Sequence, residues 1–349
     1  MLSYKNIHNH FRLNGSHLTA TDLLDLACDF VKDGKPYQKS FGKFVLDWFD
    51  QNATITIQTS GTTGTPKQIC VSKQAMIDSA LATGDFFELK PKNTALCCLP
   101  LNFIAGKMML VRAFVLGLQI DLVEPSSNPL QNIQKIYDFV AMTPMQVQNS
   151  IEKLHFVKKL IIGGSKVSDK LEEQLKKIPT EIYETYASTE TLSHIAARKI
   201  REKSFKLLPN ISISLDKRGC LVIDAPRISD KKIITNDLVE IISKDEFVWL
   251  SRIDNVVNSG GIKIFPEKIE ARLADKIPYK FFLGGISDRV LGEKLVLVIE
   301  ANKYELAENI FDDLEKYEKP KEILFISEFL QTESGKIKRK EILEHFFLI

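Results

Sequence analysis

Apolar and polar residues fall into blocks of changing period along the middle of the chain. Thr54-Ile55-Thr56-Ile57 alternates at every second position, the period of a strand. Ser72 to Leu89 repeats with helical spacing, and Ser72 is placed to cap it. Ala95 to Leu99 is a short apolar run, and Gly106 to Leu116 is helical in pattern. The spacing then predicts a strand over Gln119 to Val123, a helix over Leu130 to Tyr137 and a strand over Phe139 to Met142. Pro144 opens a helix at a favoured first-turn position. Leu160-Ile161-Ile162 reads as a strand stopping at Gly163-Gly164. Asp169 to Lys177 reads as a helix, and Glu181 to Glu184 as another strand. Strands alternating with helices imply a largely parallel sheet with covered faces.

The pattern changes after Ser193. Ile211 to Leu215, Cys220 to Ile223, Lys232 to Thr235, Val239 to Ile242 and Phe247 to Leu250 are short strand-like runs. Turn residues such as Lys217-Arg218-Gly219 separate them, which suits a small antiparallel sheet or barrel. From Asn255 onward the chain reads as an α+β unit. Its helices are expected over Pro266 to Ala274 and Tyr304 to Leu314, its strands over Phe281 to Ile286, Leu295 to Ile299 and Ile323 to Ile326. The expected class is therefore α/β. A large domain, 1–253, carries mostly parallel sheet plus the antiparallel part, and a smaller α+β domain, 254–349, follows it.

The whole-chain numbers fit this picture. At 349 residues the length suits about two domains. With 44% hydrophobic residues there is ample material for a core, which excludes disorder as the main state. Lys+Arg number 47 against 45 Asp+Glu, so overall charge gives no reason to expect nucleic acid or an anionic membrane. The 5 cysteines form no C-x-x-C pair, which argues against a disulfide framework or cysteine zinc site and for a reducing, cytoplasmic setting. No apolar leader follows Met1, and Lys107, Arg112, Gln119 and Asp121 interrupt the longest apolar stretch, so neither a secretory signal nor membrane insertion is expected.

The strongest local signal is Thr59-Ser60-Gly61-Thr62-Thr63-Gly64-Thr65-Pro66-Lys67, between a predicted strand and a predicted helix. Glycines let backbone N–H groups close on an anion, and the hydroxyls and Lys67 add donors and positive charge. The string is a phosphate-gripping loop in composition, and it does not match G-x-x-x-x-G-K-[ST].

This loop resembles that of the adenylate-forming superfamily, which includes acyl- and aryl-CoA synthetases and peptide-synthetase adenylation domains. Other segments resemble the superfamily's motifs in the same order. Gly163-Gly164-Ser165 is similar to its adenine-side strand end, Tyr186-Ala187-Ser188-Thr189-Glu190 to Y-G-x-T-E, and Thr235-Asn236-Asp237 to T-G-D. Arg252-Ile253-Asp254, then Gly260-Gly261 and Glu267-Lys268-Ile269-Glu270, resemble the hinge and its sequel. Ser334-Gly335-Lys336-Ile337-Lys338-Arg339 resembles the C-terminal lysine loop.

The resemblance implies roles. The 59–67 loop would hold the β- and γ-phosphates of ATP, Thr189 the α-phosphate, and Glu190 a Mg²⁺ ion. Asp237 and Arg252 would hold the ribose, and Tyr186 would lie at the adenine. Lys336 would bridge the attacking carboxylate and the α-phosphate. The small domain would turn about Asp254 between half-reactions, with Gly260 and Gly261 beside a channel for the coenzyme A (CoA) co-substrate. Partners would then be ATP, CoA and a small carboxylic acid.

Thr143-Pro144-Met145-Gln146 and Thr189-Glu190-Thr191-Leu192-Ser193-His194 are similar to segments of the o-succinylbenzoate–CoA ligases of menaquinone biosynthesis. That acid carries a second carboxylate, for which Ser193 and His194 are candidate donors, with Lys107 and Arg112 ranked below them. Phe103 occupies the position of a usual histidine and would gate the carboxylate entrance. The chain departs from the superfamily in three places. Its phosphate loop begins early, so much of the usual N-terminal subdomain is expected to be absent, and a second subunit would be one way to cover the exposed flank. Ala187 and Asn236 each replace a glycine.

Overall fold

A computed structural model describes residues 3–58, 68–188, 190–307, 309–331 and 337–347. The chain begins with a short strand, β1 (Arg12–Leu13), and two helices, α1 (Ala20–Asp33) and α2 (Pro36–Phe49). Thr19 caps α1 in a full capping box with Asp22. The helices meet where Gly42 lies against the carbonyl of Ala27, 2.5 Å from where a Cβ would stand. Phe11, Leu23, Phe41, Phe44 and Trp48 from this region join the largest core cluster. The first fifty residues are thus an integral part of the large unit.

A hairpin follows, β2 (Thr54–Gln58) and β3 (Gln68–Ser72), with its ladder running from Thr54↔Ser72 to Gln58↔Gln68. The predicted phosphate loop therefore joins two paired strands, and a strand intervenes before α3 (Lys73–Phe86). Ser72 caps α3 as expected. Next come β4 (Thr94–Cys97), α4 (Ile104–Leu116), β5 (Gln119–Leu122), β6 (Tyr137–Met142), α5 (Pro144–Asn149), β7 (Val157–Ile162), α6 (Asp169–Leu175) and β8 (Glu181–Ala187). Strands β1, β5, β4, β6, β7 and β8 are neighbours in that order, all parallel.

Antiparallel strands extend this sheet: β9 (His194–Lys199), β10 (Phe205–Leu207), β11 (Ser212–Leu215), β12 (Cys220–Asp224), β13 (Ile233–Ser243) and β14 (Glu246–Arg252). They continue one twelve-stranded path through the β8–β9 pair. The two strands expected at 232–235 and 239–242 are one strand, β13.

Past a 3₁₀ turn at Ile253–Asn255 lie β15 (Val257–Ser259), β16 (Ile262–Ile264), α7 (Pro266–Leu273), β17 (Phe281–Asp288), β18 (Gly292–Glu300), β19 (Glu322–Ile326) and α8 (Arg339–Phe347). These strands make a separate five-stranded sheet with its own core, including Leu273, Leu283 and Leu297.

Two expected helices are absent. Residues 130–136 are a short turn followed by irregular chain, because tertiary contacts take their ends. Leu130 is buried, and Tyr137 starts β6 in register with Val157 while its hydroxyl donates to Asp121 (2.8 Å). Across 304–314 the described residues form turns instead. Ile310 and Leu314 still bury against the small core, held by three-residue bonds such as Ile310 N–H to Ala307 O (3.0 Å). In both places burial satisfied the apolar pattern without a helix.

Candidate active site

In an open parallel sheet, ligands bind beyond the carboxyl ends of the strands, where the strand order changes direction. Here β4 has β5 on one side and β6 on the other. The segments leaving β4, β6, β7 and β8 include Leu99–Phe103, Thr143–Met145, Gly163–Ser165, Ser188 and Glu190, which contain residues singled out in the sequence. The fold gathers them at one end of one sheet.

Side chains shape the turn after β7. Gly163 donates to Met142 O (3.1 Å), and a Cβ on it would lie 2.9 Å from Thr185 Oγ1. Gly164 has φ +93°, a conformation that favours glycine, and Ser165 is exposed beside it. Buried Glu184 fastens the turn by accepting the Val167 N–H (2.8 Å), and Arg198 donates to Glu184 (2.7 Å) and Glu172 (2.6 Å). Arg198 and Glu184 were not singled out in the sequence, since only the β8–β9 pairing brings them together.

A second polar cluster, around the Asp237 expected at the ribose, is also assembled across strands. Asp237 on β13 is buried, and Tyr186 on β8 donates its hydroxyl to Oδ2 (2.7 Å). Trp249 Nε1 donates to Oδ1 (3.1 Å), and Arg252, paired with Asp237 across β13–β14, stands 3.7 Å away. Each carboxylate oxygen therefore keeps a lone pair for a further donor. Burial, then the Asp237 charge, pushes the Tyr186 phenol well up, so it remains a donor. Its ring packs edge-on against Phe247 (5.3 Å) and Phe205 (6.1 Å). Trp249 joins this cluster, and the sequence alone did not reveal it.

A third cluster forms where Arg112 of α4 reaches the start of β9. Arg112 is 2% exposed and Nη2 donates to Ser193 Oγ (2.9 Å) and stands 3.5 Å from His194 Nδ1. Its Nη1 has only Met109 Sδ (3.7 Å), and buried Nε has no partner. No carboxylate pairs with Arg112 among the described residues. Burial lowers its guanidinium to about 9. The His194 imidazole is held well below its usual range by burial, then by Arg112. Its Nδ1 faces a cationic donor, so Nε2 carries the proton and donates to Thr83 Oγ1 (3.2 Å), which donates to Ser79 O (2.9 Å). Ser193 and His194 thus converge with Arg112, the residue ranked below them in the sequence. Lys107 goes elsewhere: Nζ donates to Asn102 O (3.4 Å) and lies 5.8 Å from the Phe44 ring. Phe103 is 49% exposed at the start of α4, and Met145 is 63% exposed at the start of α5.

Glu190 is exposed and makes no hydrogen bond or ion pair among the described residues. A lone carboxylate suits Mg²⁺, which takes one or two protein oxygens and completes its shell with water and phosphate. Gly260 and Gly261, φ +59° and +83°, form the two-residue turn of the β15–β16 hairpin, a turn that requires positive φ at both positions. Asp254 lies in the 3₁₀ turn between the sheets, its side chain 57% exposed. Thr189, Lys336 and the loop Thr59, Ser60, Gly61, Thr62, Thr63, Gly64 and Lys67 lie outside the described residues.

Known proteins resemble the chain along most of its length. The AMP-binding enzyme family matches residues 18–226. The 2-succinylbenzoate–CoA ligase of Haemophilus influenzae is 26% identical over 331 residues, covering 85% of this chain and 71% of that protein. The crystal structure of an acyl-CoA synthetase (AMP-forming)/AMP-acid ligase II-like protein from Dyadobacter fermentans is 35% identical, with TM-score 0.63, covering 92% of this chain and 98% of that one. The o-succinylbenzoate–CoA synthetase of Bacillus subtilis, solved with its acyl-adenylate intermediate, shares the fold at TM-score 0.73 and 19% identity, covering 82% of this chain and 68% of that one. On the match over its sheet domain and the likeness of its whole length to the Dyadobacter protein, the chain belongs to the AMP-binding enzyme family.

Proposed function

We propose that the chain is an ATP-dependent acid–CoA ligase acting on o-succinylbenzoate in menaquinone biosynthesis. The observation that carries the substrate is Arg112, a buried guanidinium without a counter-charge among the described residues. A charge in that position is costly unless something anionic completes it. An acid with a second carboxylate supplies that group, and Ser193 adds a hydroxyl beside it. The name of the Haemophilus relative agrees with this choice.

The reaction joins two anions, so positioning and charge neutralisation dominate. In the first half-reaction a carboxylate oxygen of the acid attacks the α-phosphorus of ATP. The bond to the bridging oxygen breaks and pyrophosphate leaves. In the second, the CoA sulfur attacks the acyl carbon, AMP leaves and the thiol proton passes to solvent. Bound Mg²⁺ would neutralise phosphate charge. Asp237 accepts the ribose hydroxyls while Tyr186 and Trp249 hold it in place, and Glu190 supplies an oxygen for the ion. The 59–67 loop grips the outer phosphates, Thr189 the α-phosphate, and Lys336 spans carboxylate and phosphate. The 254–349 unit turns about Asp254 to exchange Lys336 for the thiol, which passes Gly260 and Gly261.

The second reading is a broader acyl- or aryl-CoA synthetase, favoured by the name of the Dyadobacter neighbour, or an enzyme loading a carrier protein. Mass spectrometry of reactions with MgATP, CoA and either o-succinylbenzoate or benzoate separates them. The proposal requires the o-succinylbenzoyl thioester to dominate. Equal or greater benzoyl-CoA formation would overturn the substrate assignment.

A further inference from the structure

The hinge is bridged by a carboxylate that has two possible partners. Glu267, on α7 after the hinge, is only 9% exposed. Its Oε2 accepts from Ser251 Oγ (2.6 Å), a fully buried residue on β14 before the hinge. Its Oε1 accepts from Asn255, just beyond Asp254. On the far side, Arg339 Nη1 stands 3.8 Å from the same Oε1, too far for a hydrogen bond. That Nη1 is buried and makes no hydrogen bond among the described residues, although Nη2 of the same guanidinium donates to Glu270 (2.7 Å). Arg339 opens α8, immediately after the segment that ends in Lys336, Ile337 and Lys338.

We infer that Glu267 is a two-position latch: bonded to Ser251 it holds the orientation seen here, and released from Ser251 it closes onto Arg339 Nη1. The inference rests on the proposed turning of the 254–349 unit. The Ser251 bond spans the hinge, so a rotation about Asp254 must break it. Without a substitute, the move would strand a buried carboxylate. Arg339 Nη1 is the unused donor nearest to hand, and closing about 1 Å completes a charged hydrogen bond. The exchange keeps Glu267 satisfied in both orientations, and it couples the hinge to the base of the lysine loop. Asn236, at a glycine position of the superfamily, adds a weaker restraint on the same orientation. Its Nδ2 donates to Asp254 (3.1 Å), and Arg218 Nη1 donates to its Oδ1 (3.0 Å).

The test compares full-length Ser251→Ala, Arg339→Gln and wild type in two measurements. The first is hydrogen exchange at the Val256 amide, which is bonded to Ile253 O within the hinge turn. Ser251→Ala should speed it about tenfold or more, the worth of a hydrogen bond to a charged group, and Arg339→Gln should not. The second is the ratio of adenylation rate to the rate of thioester formation from supplied acyl-adenylate. The two variants should move this ratio in opposite directions, because each removes the partner of a different orientation. Should Arg339→Gln fail to fold, Glu267→Gln replaces it, keeping an amide bond to Ser251 while losing the charge that attracts Arg339. An unchanged Val256 exchange in Ser251→Ala, or a ratio moved the same way by both variants, overturns the latch. A protein inactive with every acid would defeat the functional reading alone, since the exchange measurement needs no turnover.

Discussion

Replacing Arg112 with methionine should make the free protein more stable and the enzyme worse, and the two effects have one cause. Burial lowers the guanidinium from its usual range to about 9. At about 1.4 kcal/mol for each tenfold, keeping it charged costs the folded state up to roughly 5 kcal/mol. The sign follows from proton binding: between the folded and unfolded values the unfolded chain holds more protons, so the penalty is complete below about pH 9 and lifts only above it. Methionine fills similar space beside Met109, gives up the bond to Ser193, and should return about 1–4 kcal/mol. Removing one member of a buried charge pair, by contrast, costs about 2–5 kcal/mol of binding, or roughly 30- to 5,000-fold. Thermal melting without ligands and acid-dependent pyrophosphate release, with o-succinylbenzoate and with benzoate, read both effects. Arg112→Met should melt a few degrees higher, lose kcat/KM for o-succinylbenzoate by the stated factor, and leave benzoate, which has no second carboxylate, far less affected. A lower melting temperature with equal loss for both acids would show that Arg112 is a structural residue and refute the reasoning.

Tyr186→Phe removes the hydroxyl that orients Asp237, so AMP affinity, measured by calorimetry, should fall about tenfold with little change in melting. Arg198→Met leaves Glu184 and Glu172 without their shared cation, so stability in a urea titration should drop by about 3–5 kcal/mol. His194 stays neutral in the folded protein while the unfolded chain takes up a proton near pH 6.5. The native state therefore loses stability as pH falls below about 6.5, and His194→Gln should reduce the melting difference between pH 7.5 and 5.5.

Much of the fold was legible because strands and helices largely alternate between Thr54 and Glu184, the β2–β3 hairpin and the β5–β6 connection excepted, and each period is set by local burial. The errors came where tertiary contacts overrode the pattern. Tyr137 was pulled into β6 by its register with Val157, and 304–314 buried its apolar residues through turns. The first fifty residues carried no motif, yet Phe11, Phe41 and Trp48 turned out to be core. At the candidate site, the expected residues that lie next to motifs, Tyr186, Asp237, Ser193 and His194, fall into two polar clusters. Trp249, Arg198 and Glu184 were not expected, because their roles depend on strand register, which a single sequence does not specify. Arg112 was underweighted for the same reason: an arginine on an apolar helix shows its significance only once the neighbours prove to include no carboxylate.

The account stands most directly on whether the chain forms an acyl-adenylate. Acid-dependent exchange of labelled pyrophosphate into ATP, without CoA, isolates that step. The account predicts exchange that requires Mg²⁺ and o-succinylbenzoate and disappears in Asp237→Ala. Exchange absent with o-succinylbenzoate, or undiminished in Asp237→Ala, would contradict it.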